Sequence, residues 1–219
     1  LGESRDYTRL YAGERLPSNI ARELINWLSD LHSLSFDGSM RATLTNREMR
    51  ELNHEHLFRF PLDRDNGFDL DAITAGLREA ASELASDAVY VDRVTALGDA
   101  YLSDGRVLLH GDFFPGSWLD TGDGPAVIDP EFAFFGTPEF DMGVLLGHLH
   151  LSRQPDAVHA SVREGYRPPP GFDWRLAEAF AGVEIMRRLI GVAQLPLPIG
   201  LEEKRTLLAK SRQLVVGEE

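Results

Sequence analysis

The 219 residues suffice for one large domain or two small ones, and 43% hydrophobic with 26% charged residues is ordinary for a globular chain. Lys and Arg number 22 against 35 Asp and Glu, so the formal charge of −13 argues against non-specific nucleic-acid binding, while an anionic substrate would need local arginines to reverse the potential. The absence of cysteine excludes a disulfide framework and a thiolate metal site, which is compatible with a reducing cytoplasm; no apolar run reaches the length of a membrane span, and the opening residues do not read as a signal peptide.

The first clear helix opens at Pro17-Ser18. Ile20, Leu24, Trp27, Leu28, Leu31 and Leu34 recur at steps of three and four on one face. Asp30 and His32 near its end read as surface groups, with His32 placed to complement the helix dipole. A second helix is predicted behind a capping box in which Thr45 meets Glu48, with Met49, Leu52, His56 and Leu57 along it. His54 and His56 are two apart on that helix, so they face different sides and cannot chelate one ion. Pro61 to Phe68 reads as a polar loop. A helix over Asp69 to Leu84 follows from Ile73, Leu77, Ala80 and Ala81, and another starts near Asp87 with Val91, Val94, Leu97 and Leu102.

Asp104-Gly105 turns the chain into a strand at Val107-Leu108-Leu109, which runs into His110-Gly111-Asp112. After a loop to Ser117, Trp118-Leu119 enters the turn Asp120 to Gly124, and Ala126-Val127-Ile128 returns to Asp129-Pro130-Glu131. This pattern predicts two short strands joined by a Gly-rich turn with acidic residues at their mouths. Such a hairpin would bring Asp112, Asp129 and Glu131 together near Ser117. Three carboxylates and a hydroxyl suit a divalent-metal and general-base site. Mg²⁺ usually takes one or two carboxylates plus phosphate oxygens, which leaves one carboxylate to orient a hydroxyl. The plain alternative is a hairpin whose acidic mouth has no function.

Beyond it, Thr137 can cap a helix with Pro138 at its first position, and Glu139 and Asp141 suit the dipole in its first turn. Leu145, Leu146 and Leu149 form its apolar side. His148 and His150 face different ways and read as packing or surface. Arg167 to Gly171 is a rigid connector. A long helix is predicted from Phe172 to about Val192, with Leu176, Phe180, Val183, Met186 and Ile190 as its buried stripe. Arg187 and Arg188 point about a quarter-turn apart, so at least one can turn toward a cleft. Leu201 to Val216 reads as a terminal helix with Leu207, Leu208 and Leu214 inward. There are no internal repeats.

The step from Asp112 to Ser117 matches the step from Asp to Asn in kinase catalytic loops, with Ser in place of Asn, and Asp129 stands where such kinases carry a metal-binding Asp. Together, His110–Asp112, Gly116-Ser117, Val127–Phe134, Gly136 and Phe140–Gly143 resemble the small-molecule kinases related to aminoglycoside phosphotransferases and choline kinase. Within that group the pattern is most similar to the methylthioribose kinases. It departs from their H-G-D-L-H-T-G-S loop in reading HGDFFPGS, which replaces the second His and makes Phe113, Phe114 and Pro115 apolar.

The resemblance implies an α+β fold: the mainly helical C-terminal lobe of a protein-kinase-like architecture, over residues 1–219, with a short β-hairpin carrying the site. Neither a Gly-rich phosphate loop nor a strand-borne Lys precedes the catalytic loop, so the nucleotide lobe is not in this chain, whether carried elsewhere or lacking from the protein, and the chain alone is expected to be inactive. Leu1-Gly2 is similar to the stretch just after the hinge, and a segment like Asn46 to Pro61 lies near the substrate cleft. The implied reaction transfers the ATP γ-phosphoryl group to a hydroxyl of a small sugar, 5-methylthioribose foremost. Asp112 would accept the proton, Asp129 and Glu131 would hold Mg²⁺, and Ser117 would contact the metal directly or through water. Arg187 and Arg188, followed by Ile190-Gly191-Val192-Ala193, would hold the sugar; His110 and Asp141 would brace the loop. Expected partners are the sugar and ATP, with no nucleic acid or membrane; a homodimer is compatible, and the expected compartment is the cytoplasm. The alternatives are another acceptor (a different sugar, an aminoglycoside or choline) or a catalytically silent binding module.

Overall fold

The computed structural model describes residues 5–217, so Leu1-Gly2 lies outside the described residues. The helices are α1 (Ser18–Ser33), α2 (Gly38–Thr43), α3 (Arg47–His54), α4 (Leu70–Ile73), α5 (Leu77–Ala85), α6 (Ala88–Leu102), α7 (Pro138–Leu151), α8 (Asp156–Gly165), α9 (Trp174–Ile190) and α10 (Leu201–Val216). The strands are short: β1 (Arg5–Asp6), β2 (Val107–Leu109), β3 (Trp118–Asp120), β4 (Pro125–Val127) and β5 (Phe134–Gly136). They form a three-stranded sheet of order β1-β3-β4 and a two-stranded sheet β2-β5. The fold is therefore α+β and mainly helical, as expected. No described helix is long and apolar enough to cross a membrane.

The predicted hairpin is present. β3 and β4 pair antiparallel, with Trp118 opposite Val127 and Asp120 opposite Pro125. Gly122 and Gly124 both take positive φ in the turn between them, where a side chain would be strained. β1 and β5 were not foreseen. β5 pairs antiparallel with the predicted strand β2, Val107 opposite Gly136 and Leu109 opposite Phe134.

Around this small β region the helices pack on α9. The pattern predicts one buried stripe there, yet every residue from Ala179 to Met186 is buried, because α7 covers one side and α10 another. Glycine lets α7 come close. A Cβ at Gly143 would stand 2.4 Å from Phe180 Cβ, and one at Gly147 would stand 2.8 Å from Glu184 Cβ. An apolar helix without a polar face belongs in the middle of a core.

Three further expectations are corrected. The helix over Asp69 to Leu84 is two helices. Asp69 caps α4 by accepting from Ala72 N, and Asp71 Oδ1 accepts from Gly76 N and Arg78 N. These local bonds compete with the helical ladder and break it, although the apolar spacing continues across the gap. Thr45 does not cap α3. Asn46 occupies the cap position in the left-handed region, φ 46°. Thr137 precedes α7 as predicted, but its hydroxyl donates to the Glu139 carboxylate rather than capping a backbone amide. Helix α8 is an addition to the predicted set, with Val158 and Val162 buried one turn apart.

Candidate active site

β2 delivers the chain into His110-Gly111-Asp112, and α7 fixes its backbone. Asp141, fully buried in the first turn of α7, accepts from His110 N through Oδ2 at 2.7 Å and from Gly111 N through Oδ1 at 2.9 Å. Charge-assisted bonds of this kind are strong, and the N-terminal helix dipole favours the carboxylate there. Gly111 sits at φ 85°, and a Cβ would fall 2.2 Å from Phe132 O, so only glycine fits. His32 completes the brace. It is buried rather than on the surface, with Nε2 3.2 Å from Asp141 Oδ2 and Nδ1 2.6 Å from Tyr166 Oη. The dipole reading of His32 is thus corrected: the C-terminal end of α1 packs under the loop.

The rest of the loop closes on itself. His110 Nε2 lies 2.8 Å from Ile128 O, and Asp112 N donates to His110 Nδ1 at 3.3 Å. In that pairing Nε2 donates to the carbonyl and Nδ1 accepts from the amide. Ser117 Oγ donates to Asp112 O at 2.9 Å, and Ser117 O accepts from Ile128 N at 2.9 Å. The one-turn helix Pro115–Ser117 aims the hydroxyl back at the loop, so the observed work of Ser117 is bracing. Phe113 is buried, stacked on Trp27 with ring centroids 5.5 Å apart.

The Asp112 side chain meets α9. Its Oδ1 accepts from Arg187 Nη2 at 3.2 Å and from Arg188 Nη2 at 3.4 Å. Both arginines turn inward, where at least one was expected to. Glu184, one turn earlier and buried, accepts from Arg187 Nε through Oε2 at 2.5 Å and from Arg188 Nε through Oε1 at 2.8 Å. His148 Nε2 is also 2.8 Å from Oε1, and His148 Nδ1 is 2.6 Å from Tyr11 Oη. The Arg188 guanidinium lies over the Phe114 ring, 4.6 Å from its centroid.

The electrostatics follow from this geometry. Burial alone would raise the Glu184 carboxyl, but Arg187 and Arg188 outweigh it and hold the group well below the usual range. Burial would lower Arg187, and Glu184 and Asp112 instead leave it raised. Burial pushes His148 down to about 4 against the pull of Glu184, so its ring is neutral at ordinary pH. It therefore donates from Nε2 to Glu184 and accepts the Tyr11 hydroxyl at Nδ1. Two guanidiniums face two carboxylates, and the cluster is charge-balanced. Of these residues the sequence reading picked Asp112 and the arginines, took His148 for packing or surface, and missed Glu184 and Tyr11. A Glu three and four residues before an Arg pair, inside an apolar helix, is the one signal that could have found Glu184.

Asp129 and Glu131 stand apart from that cluster. Asp129 takes the left-handed conformation, φ 60°, which is uncommon for a residue with a side chain. Pro130 follows at the start of a one-turn helix carrying Glu131. Both acidic residues are exposed. Asn46, from the segment expected near the cleft, donates to Glu131 O at 2.8 Å and to Ala133 O at 3.2 Å. No hydrogen bond or ion pair occupies either carboxylate among the described residues. Among the described residues no group of three His, Asp or Glu is placed to hold a metal ion, and the Asp112 carboxylate is turned to the arginines. Two free carboxylates are hard oxygen donors that fit Mg²⁺ shared with phosphate.

Residues 3–180 match a model of a phosphotransferase enzyme family. Methylthioribose kinase of Exiguobacterium sibiricum is 38% identical over 88 residues, 40% of this chain and 23% of that protein. Methylthioribose kinase of Geobacillus kaustophilus is 35% identical over 150 residues, 53% of this chain and 38% of that protein. For the Bacillus pumilus methylthioribose kinase the figures are 26% over 212 residues, 78% and 52%. The chain thus spans about half or less of the length of these relatives. Among solved structures, spectinomycin phosphotransferase APH(9)-Ia in complex with ADP and spectinomycin shares the fold, with a TM-score of 0.55 at 16% identity over 98% of this chain and 68% of that one.

Proposed function

The chain belongs to the phosphotransferase enzyme family, and from that premise we propose that it carries the acceptor and metal side of an ATP-dependent kinase for a small neutral sugar, 5-methylthioribose foremost. The observation that carries this reading is the pair of guanidiniums aimed at one oxygen of Asp112. With Oδ1 held by the arginines, Oδ2 is left for an acceptor hydroxyl, which Asp112 orients and whose proton it accepts. The remaining N–H groups of Arg187 and Arg188 suit sugar oxygens, since guanidinium donors are directional.

Charge decides the acceptor class. Arg187 and Arg188 are balanced by Glu184 and Asp112, so the pocket offers no net field to a charged acceptor. An ammonium offers guanidinium donors no acceptor, whereas sugar hydroxyls do, so a neutral polyol is the better partner for Arg187 and Arg188. The similarity to methylthioribose kinases supports the same choice.

Asp129 and Glu131 would hold Mg²⁺, which when bound neutralises charge on the nucleotide phosphates. Ser117, His110 and Asp141 keep the loop in place. Both lysines, Lys204 and Lys210, lie on α10, so a strand-borne lysine for the phosphates would have to come from sequence beyond this chain. A cytoplasmic location accords with such a nucleotide-dependent activity.

The test is ADP release by the full-length protein with Mg·ATP and a panel of methylthioribose, ribose, choline and an aminoglycoside. Turnover is expected with methylthioribose. Turnover with choline or the aminoglycoside alone would overturn the acceptor class. Nucleotide binding without turnover on any acceptor would favour a binding module.

A further inference from the structure

We propose that Tyr11, His148 and Glu184 form a positioning relay that aims Arg187 and Arg188 at Asp112 and thereby sets acceptor affinity. The inference rests on the reading of Asp112 and the arginines given above, and adds three residues that touch neither substrate nor metal.

The bonds specify aim rather than mere attraction. Glu184 holds both arginines through Nε, one on each carboxylate oxygen. A bond to Nε fixes the plane of a guanidinium, because the group is rigid and its five donors keep a set fork. With Nε pinned, each Nη2 is directed at Asp112 Oδ1. Two arginines pulling on one carboxylate could still rotate it. The third donor, His148 Nε2 on Oε1, comes from α7 and opposes that rotation. His148 in turn is set by the Tyr11 hydroxyl on Nδ1, which selects the tautomer with the proton on Nε2.

The surroundings leave no substitute for these bonds. Tyr11, His148 and Glu184 are 2%, 0% and 1% exposed, so water does not replace a lost partner. Phe114 packs against both the Arg188 guanidinium and the His148 ring, 4.6 and 5.0 Å from its centroid, and limits their swing. Gly147 leaves the space that Glu184 needs, since a Cβ there would be 2.8 Å from Glu184 Cβ. The relay draws on the one-turn segment Thr8–Ala12, on α7 and on α9. Stability alone does not explain it. Buried ionic groups cost desolvation, and apolar residues of similar volume commonly serve as well. A set of polar groups buried behind a site, each bonded to the next, suits precise placement of the two groups at its end.

The experiment compares His148→Gln, which keeps a donor and an acceptor, with His148→Leu, which keeps neither, and with the milder Tyr11→Phe, all in the full-length protein. Two quantities are read. One is the hydrogen exchange of the Arg187 and Arg188 Nε–H signals by ¹⁵N NMR. The other is the KM for methylthioribose beside the KM for ATP. For His148→Leu we expect Nε–H exchange and sugar KM to rise about tenfold or more, the worth of one bond to a charged group, with ATP KM unchanged. His148→Gln should restore most of both, and Tyr11→Phe should move both by roughly two- to tenfold. Unchanged Nε–H exchange in His148→Leu and Tyr11→Phe would overturn the relay. So would equal losses in the Gln and Leu variants, or sugar and ATP KM rising together. The NMR arm needs no turnover, so the relay stands or falls on it even if no sugar is phosphorylated, and failure of the acceptor reading shows separately as absent turnover with intact arginine signals.

Discussion

Asp112 and Asp129 lie on either side of the same β3–β4 hairpin and in opposite surroundings. Asp112 is one-fifth exposed and held by two arginines. Asp129 is exposed, left-handed in its backbone and without a side-chain partner among the described residues. In the proposed reading the acceptor side is built in advance, with Glu184, His148 and Tyr11 buried behind the arginines. The metal side supplies bare carboxylates that a cation and phosphates would complete. Phosphoryl transfer depends on positioning and on charge stabilisation, and in that reading the two tasks are divided between a packed core and an open loop.

The largest expected effect breaks the comparison at its centre. Asp112→Asn removes the proton acceptor and keeps the shape. Turnover should fall roughly 10²–10⁴-fold, the usual range for a general base, with nucleotide affinity nearly unchanged. Asp129→Ala should instead weaken Mg·ATP binding and slow the rate together. Steady-state kinetics beside nucleotide calorimetry separate the two, and full turnover in Asp112→Asn would remove the catalytic role of the loop.

Stability should divide the two sides as well. Glu184→Leu leaves two buried arginines without their main partner, and breaking a buried charge cluster costs about 3–5 kcal/mol. Glu131→Ala, on the exposed side, should stay within about 0.5 kcal/mol, as surface substitutions do. Denaturant unfolding measures both, and similar costs would erase the contrast.

The pH dependence sharpens it further. Above about pH 6.5 the His148 ring is neutral both folded and unfolded. Below that, the unfolded chain takes up a proton that the folded protein refuses until about pH 4. Stability should therefore fall as pH drops from 6.5 toward 4, by about 1–3 kcal/mol from this group. His150, pushed to about 3 chiefly by burial, adds to the same slope. Unfolding curves of His148→Gln should lose part of that slope; an identical slope would mean that His148 is not held neutral.

A further effect concerns a single arm. Arg187→Ala should raise the sugar KM by the equivalent of about 1.5–3 kcal/mol and leave the ATP KM alone, since one charge-assisted bond is lost. An unchanged sugar KM would return Arg187 to a purely structural place.

The open side was the more legible in sequence. Hairpin, turn glycines and the His110–Asp112 and Asp129–Glu131 runs are local, and turn chemistry and alternation encode them directly. Asp141 was legible as a brace only through the family resemblance, since its place in a helix first turn by itself signals a dipole partner. The packed side was not. Leu145, Leu146 and Leu149 mark one apolar stripe on α7, whereas nearly the whole helix is buried, so His148 read as packing or surface. Its partners Tyr11 and Glu184 are 137 and 36 positions away, and no periodicity reports contacts of that range. Ser117 shows the limit of spacing: it holds the position of a metal contact, yet the turn Pro115–Ser117 points its hydroxyl at Asp112 O.

The division between a prebuilt acceptor side and a ligand-completed metal side is tested most directly by the side-chain carboxyl ¹³C signals of Asp112, Asp129 and Glu184 during titration of the full-length protein with Mg·ATP. The Asp129 signal should move with nucleotide and barely with Mg²⁺ alone, while Asp112 and Glu184 stay near their starting shifts. Large movement at Asp112 and Glu184, or none at Asp129, would contradict the account.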